Sequence, residues 1–129
     1  MTLKLSLFSL TIAVTALSIG LAACGSDGTP STNAAGSRVE RGAEVYAENC
    51  ASCHGADLRG TDKGPSHLSI VYEPDHHTDD SFRSAIANGA PQHHWNFGNM
   101  EPVEGLSDDD VEAVIAYVRA EQERRGFER

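Results

Sequence analysis

Apolar residues crowd the first two dozen positions of the chain and then thin out. Lys4 is the only charge ahead of an uncharged run over residues 5–23, and small residues lead into Cys24. A basic start, an apolar middle and a small-residue end predict an export signal over residues 1–23, outside the folded domain. Over residues 37–50 the pattern changes. Apolar or small residues fall at Val39, Gly42, Ala43, Tyr46, Ala47 and Cys50, steps of three and four that share one helical face. Ser37 and Glu40 have the S-x-x-E spacing of a capping box at its start. A second well-marked helix follows Ser107. Asp108, Asp109 and Asp110 suit the positive end of a helix dipole, and Val111, Val114, Ile115 and Val118 form its stripe. Leu106 and Val111 are spaced to staple that cap, while Arg119, Arg124, Arg125 and then Gly126 mark its far end. A shorter helix opens at Thr78, carries Phe82, Ala85 and Ile86, and stops near Gly89. Glycines, prolines and polar residues break any period over 55–75 and 89–105, and no alternating run predicts a strand. The expected fold is all-α, a few helices joined by long loops.

Residues 25–36 carry almost no apolar bulk and read as a flexible tether, about a dozen residues that hold the domain roughly 20 Å from whatever anchors its start. The expected division is therefore a signal over 1–23, a tether over 24–36 and one domain over 37–129. That domain is long enough for only a modest core. Loss of Lys4 with the signal takes the formal charge from −9 to −10. Such acidity argues against nucleic acid as a partner and suits a basic docking patch on another protein, where complementary charge speeds encounter.

Three cysteines cannot all pair. Leu21-Ala22-Ala23-Cys24 resembles the lipobox of bacterial lipoproteins, in which Cys24 would be lipidated and become the mature N-terminus. The alternative is an uncleaved membrane anchor, since the apolar run is about as long as a bilayer needs. Cys50, Cys53 and His54 form C-x-x-C-H, the arrangement that attaches a c-type haem: each thiol adds across a vinyl group, and the imidazole supplies an iron ligand. A thioredoxin-like dithiol, half of a Cys/His zinc site and a small disulfide are the competing readings. A haem would also give the long loops something to pack on.

Taken in order, these parts resemble the class I mono-haem cytochromes c over nearly all of residues 37–122. In that family an N-terminal helix ends in C-x-x-C-H, a loop supplies Gly-Pro and an apolar residue, and a methionine loop precedes a C-terminal helix that crosses the first. Here those positions are Cys50, Cys53 and His54, then Gly64-Pro65 with Leu68, then Met100, then the helix after Ser107. The resemblance implies one covalent haem c, an iron ligated by His54 and Met100, a Pro65 carbonyl that orients His54, and Gly42 and Tyr46 facing Tyr117. Met100 is the only methionine left once Met1 is lost with the signal, although Glu101 separates it from the proline that often follows directly. His67, His76, His77, His93 and His94 are the competing iron ligands; His76 and His77 otherwise read as solvated loop residues. Arg59, Tyr72 and Trp95 are candidate contacts for haem propionates. The implied function is electron transfer in an extracytoplasmic respiratory chain, with no catalysis, beside an oxidase or dehydrogenase complex on a lipid-tethered membrane surface. The alternative is a haem enzyme or a gas or redox sensor with an open or bis-histidine distal site.

Overall fold

The computed structural model describes residues 32–129; the expected signal and Cys24 lie outside the described residues. Four helices follow one another: α1 (Thr32–Asn49), α2 (Ala51–His54), α3 (Asp79–Asn88) and α4 (Asp108–Arg125). A 3₁₀ turn, Ile70–Tyr72, interrupts the loop between α2 and α3. Among the described residues there is no strand, only isolated bridges between Ser69 and Glu128 and between Ala90 and Met100.

α1 starts earlier than its pattern predicts. Residues 32–36, expected to be tether, belong to the helix. Ser37 is therefore no cap. Its hydroxyl donates one turn back to the Ala34 carbonyl at 3.0 Å, as serines inside helices do. The other predicted ends hold. The Thr78 hydroxyl accepts from the Ser81 amide, and Ser107 and Asp110 form a reciprocal capping box. Gly89 and Gly126 close α3 and α4.

The core lies where α1 crosses α4. Val45 and Tyr46 meet Val114, Ile115 and Val118, with Leu58, Leu68 and Ile86 completing a buried cluster. Each such side chain contributes roughly 1.5–3 kcal/mol on burial. Gly42 sets how close the helices come: a Cβ there would lie 2.0 Å from the Ala113 carbonyl oxygen and 2.7 Å from the Tyr117 Cβ. Tyr46 and Tyr117 pack with ring centroids 5.4 Å apart and planes tilted by 57°, so the expected crossing is present.

Arg119 ties the loops to this frame. From α4 its guanidinium, mostly buried, donates to Asp79 and to the carbonyls of Tyr72 and His77, and lies 4.9 Å over the Phe82 ring. The last residues return to the core as well: Glu128 donates to the Leu68 carbonyl at 2.6 Å and accepts from the Ile70 amide at 2.9 Å.

Candidate haem site

The apolar face of α1 runs directly into Cys50, where the chain breaks helical direction before the single turn of α2. Tyr46 fixes that corner. Its buried hydroxyl donates to the carbonyls of His54 at 3.3 Å and Gly55 at 3.1 Å, at the end of the helix, where no intrahelical amide reaches them. Burial raises the phenol pKa, so Tyr46 stays protonated and remains a donor.

The following loop is held on both sides of the turn. The Thr61 hydroxyl donates to the Cys53 carbonyl at 2.7 Å, and the Gly60 amide donates to the His54 carbonyl at 2.8 Å. Gly64 lies so close to Cys53 that a Cβ would stand 3.0 Å from its carbonyl oxygen. That approach brings the Pro65 carbonyl within 2.9 Å of His54 Nδ1. A carbonyl can only accept, so Nδ1 carries the proton and Nε2 keeps its lone pair. Burial lowers the His54 pKa, the bond to Pro65 opposing it, and favours this neutral imidazole.

Cys50, Cys53, His54, Pro65 and Met100 all line one cavity of about 880 Å³, within the range of cofactor-sized pockets. Tyr72 and Trp95 line it too; Arg59 does not, and pairs with Asp57 and Glu128 instead. The Met100 backbone is pinned by two hydrogen bonds to Ala90, of 2.9 and 3.0 Å. Gly89 makes this possible, since its φ is +73° and a Cβ would meet the Met100 carbonyl oxygen at 2.4 Å.

The competing readings of the cysteines fare poorly. The two thiols form no disulfide, and burial, with Cys53 adding to it, pushes Cys50 up to about 11. A redox dithiol reacting through Cys50 needs the opposite shift. Two thiols, an imidazole with a free Nε2 and a thioether around one apolar cavity are instead a donor set that fits a covalently attached haem.

The histidines separate into two groups. His67 stacks on His54 with ring centroids 4.1 Å apart and planes 17° from parallel, so the two cannot approach one iron from opposite sides. It is buried, and its Nδ1 has no hydrogen-bond partner among the described residues. Burial, then the neighbouring His54 and Arg119, lower its pKa and keep it neutral. The other four come together at the cavity rim, His76 against His94 and His77 against His93. The sequence reads His76 and His77 as solvated loop residues and His93 and His94 as competing iron ligands, because nothing in separations of 16 and 18 residues signals contact. Desolvation and mutual repulsion lower the pKa of His77 and His94.

The helix order, the crossing at Gly42 and this cavity define a class I mono-haem cytochrome c. The cytochrome c family profile matches residues 39–121, and the chain belongs to that family. It is 40% identical over 106 residues to cytochrome c-551 of Bacillus subtilis (strain 168), an alignment spanning 78% of this chain and 83% of that protein. The protein thus carries a covalently bound haem c and transfers electrons through its iron.

Proposed function

We propose that this cytochrome is a single-electron carrier of an extracytoplasmic respiratory chain, with Cys50 and Cys53 as the thioether positions and His54 and Met100 as the iron's axial ligands. One observation carries the ligand assignment: Met100 shares the cavity with His54, and its backbone is clamped to Ala90. The stacking of His67 on His54 speaks against His67 as the opposite ligand. Haem iron with Met/His ligation cycles between ferric and ferrous states at a raised potential. The chain supplies the rest. Pro65 orients the His54 ring and raises its basicity, as outer partners of ligating histidines do. Phe82, Ala85 and Ile86 of α3 and Val114 and Val118 of α4 give the cavity apolar walls, and a filled sixth position leaves no place for substrate, hence no enzymatic activity. The acidic surface suits a basic face on an oxidase or dehydrogenase complex.

Among the described residues no helix is long and apolar enough to cross a membrane. Lipidation of Cys24 is the proposed attachment, with residues 24–31 as the link to α1.

Optical spectra of the purified protein in both oxidation states test the ligation. The ferric form should show a methionine-to-iron charge-transfer band that Met100→Ala abolishes, with a lower reduction potential and ready carbon monoxide binding in the ferrous variant. Carbon monoxide binding by the unaltered protein and identical spectra for the variant would refute it.

A further inference from the structure

Two loops on either side of α3 bring four imidazoles into contact. His76 and His77 follow the 3₁₀ turn; His93 and His94 sit in the loop closed by the Ala90–Met100 bridge. His76 Nε2 lies 3.2 Å from His94 Nε2, and His77 Nε2 lies 3.3 Å from His93 Nε2. Ligand atoms of His76, His77 and His94 all fall within 4.8 Å of one another.

The backbone settles the protons of one pair. His77 Nδ1 is 2.7 Å from the Val71 carbonyl, and His93 Nδ1 is 2.8 Å from the Pro91 carbonyl. Each Nδ1 must donate, so each neutral ring turns a bare Nε2 lone pair toward the other. Two lone pairs at hydrogen-bonding distance repel unless a cation stands between them. A carbonyl on the far nitrogen is also how metal-ligating histidines are oriented. The spacing agrees for the two close pairs, since nitrogens 2.0–2.1 Å from a tetrahedral zinc are roughly 3.3 Å apart; His93 joins the group through His77.

We propose that His76, His77, His93 and His94 form a second metal site, distinct from the haem iron, that binds a borderline-soft divalent cation of the zinc type. Carboxylate-preferring ions such as magnesium or calcium are poor matches for four nitrogens. Arg119 supports the site from α4 by holding the His77 carbonyl. Bound metal would join residues 76–77 to the loop that leads into Met100.

The test is calorimetric titration of Zn²⁺ into the haem-loaded protein at neutral pH, with the Soret band followed alongside. One zinc should bind per chain, magnesium should not compete, and the haem spectrum should stay in place. His76→Gln with His94→Gln, both exposed side chains, should weaken binding at least tenfold, because even outer partners of a ligand are worth 10–100-fold. His77→Gln alone should also weaken it, without changing the haem spectrum. Absence of zinc binding, or equal affinity in the variants, overturns the proposal. So does a shift of the haem spectrum in His94→Gln, which would make this histidine an iron ligand. A changed spectrum in Met100→Ala bears on the axial ligand alone, so the two assignments fail separately.

Discussion

Replacing Gly42 with alanine puts the helix crossing under direct test. The new Cβ would stand 2.0 Å from the Ala113 oxygen and 2.6 Å from its carbon, both backbone atoms in the middle of α4. Ordinary contact begins at 3.4 Å, so the carbonyl must retreat by about 1.4 Å, the difference between 3.4 and 2.0 Å. No side-chain rotation relieves a backbone clash. Overpacking of this kind costs about 1–3 kcal/mol, and the upper end applies because α4 must move as a unit. Alanine gives back up to about 1 kcal/mol through its helix propensity. The net loss is about 2 kcal/mol, which lowers Tm by about 10 °C in a domain of this size. Gly36 provides the control. It lies in the same helix, and a Cβ there meets nothing within 4 Å, so Gly36→Ala keeps only the propensity term and should raise Tm slightly. Thermal unfolding of the two haem-loaded variants, followed by helical circular dichroism, measures both signs. Equal Tm values, or a Gly42→Ala protein as stable as its parent, would refute the close crossing.

Three further outcomes are expected. Ser107→Ala removes the α4 cap and its reciprocal bond with Asp110, costing about 1 kcal/mol in urea unfolding; an unchanged midpoint would contradict the capping geometry. Arg119→Met strips the partners from the Tyr72 and His77 carbonyls and should cost about 3 kcal/mol, with Arg119→Lys recovering only part because one ammonium cannot span those acceptors; full recovery by lysine would contradict the fork geometry. Glu121, hydrogen-bonded by Arg124 and then Arg125, is held down at about 2 in the folded protein. Its contribution is complete above the ordinary carboxylate value of about 4.5 and is lost as pH falls through about 2. Glu121→Gln lacks that contribution throughout and should lose less stability over this acid range; parallel pH profiles would count against it.

The sequence was most readable where local chemistry acts alone. The α4 cap, the Thr78 cap and the glycine stops each follow from side chains adjacent to the backbone they satisfy, and the structure keeps all of them. Ser37 misled because its capping pattern competes with the helix-favouring Ala34 and Ala35, and a hydroxyl can bond backward from inside a helix as well as cap it. C-x-x-C-H was legible for the same reason as the caps, all three residues lying on one turn. The contacts that finish the site are not local. Pro65 reaches His54 across eleven residues, and only its carbonyl matters, which any residue possesses. The seat of His67 on His54 and the meeting of four histidines depend on two loop paths that carry no period. Arg119 read as one of three basic residues near a helix end; its role comes from the carbonyls that the 3₁₀ turn and the loop before α3 bring to it.

The return of Glu128 to Leu68 and Ile70 has a bearing on the order of events as the chain is made. α1 finds its main partner only in α4, and the loop beneath His67 finds its last backbone pairings only at residue 128. The α1–α4 crossing and the pairings of residue 128 thus span most of the domain, and such non-local contacts are the ones whose loop-closure cost delays folding. Until then Cys50 is in water, where its thiol lacks the burial that pushes it up to about 11 after closure. Thioether formation is chemically easiest on the open chain, so the termini set the interval in which the motif is reactive. A chain cut before Glu128 would leave the Leu68 carbonyl and the Ile70 amide without those partners, prolonging exposure of the very surface the haem is meant to fill.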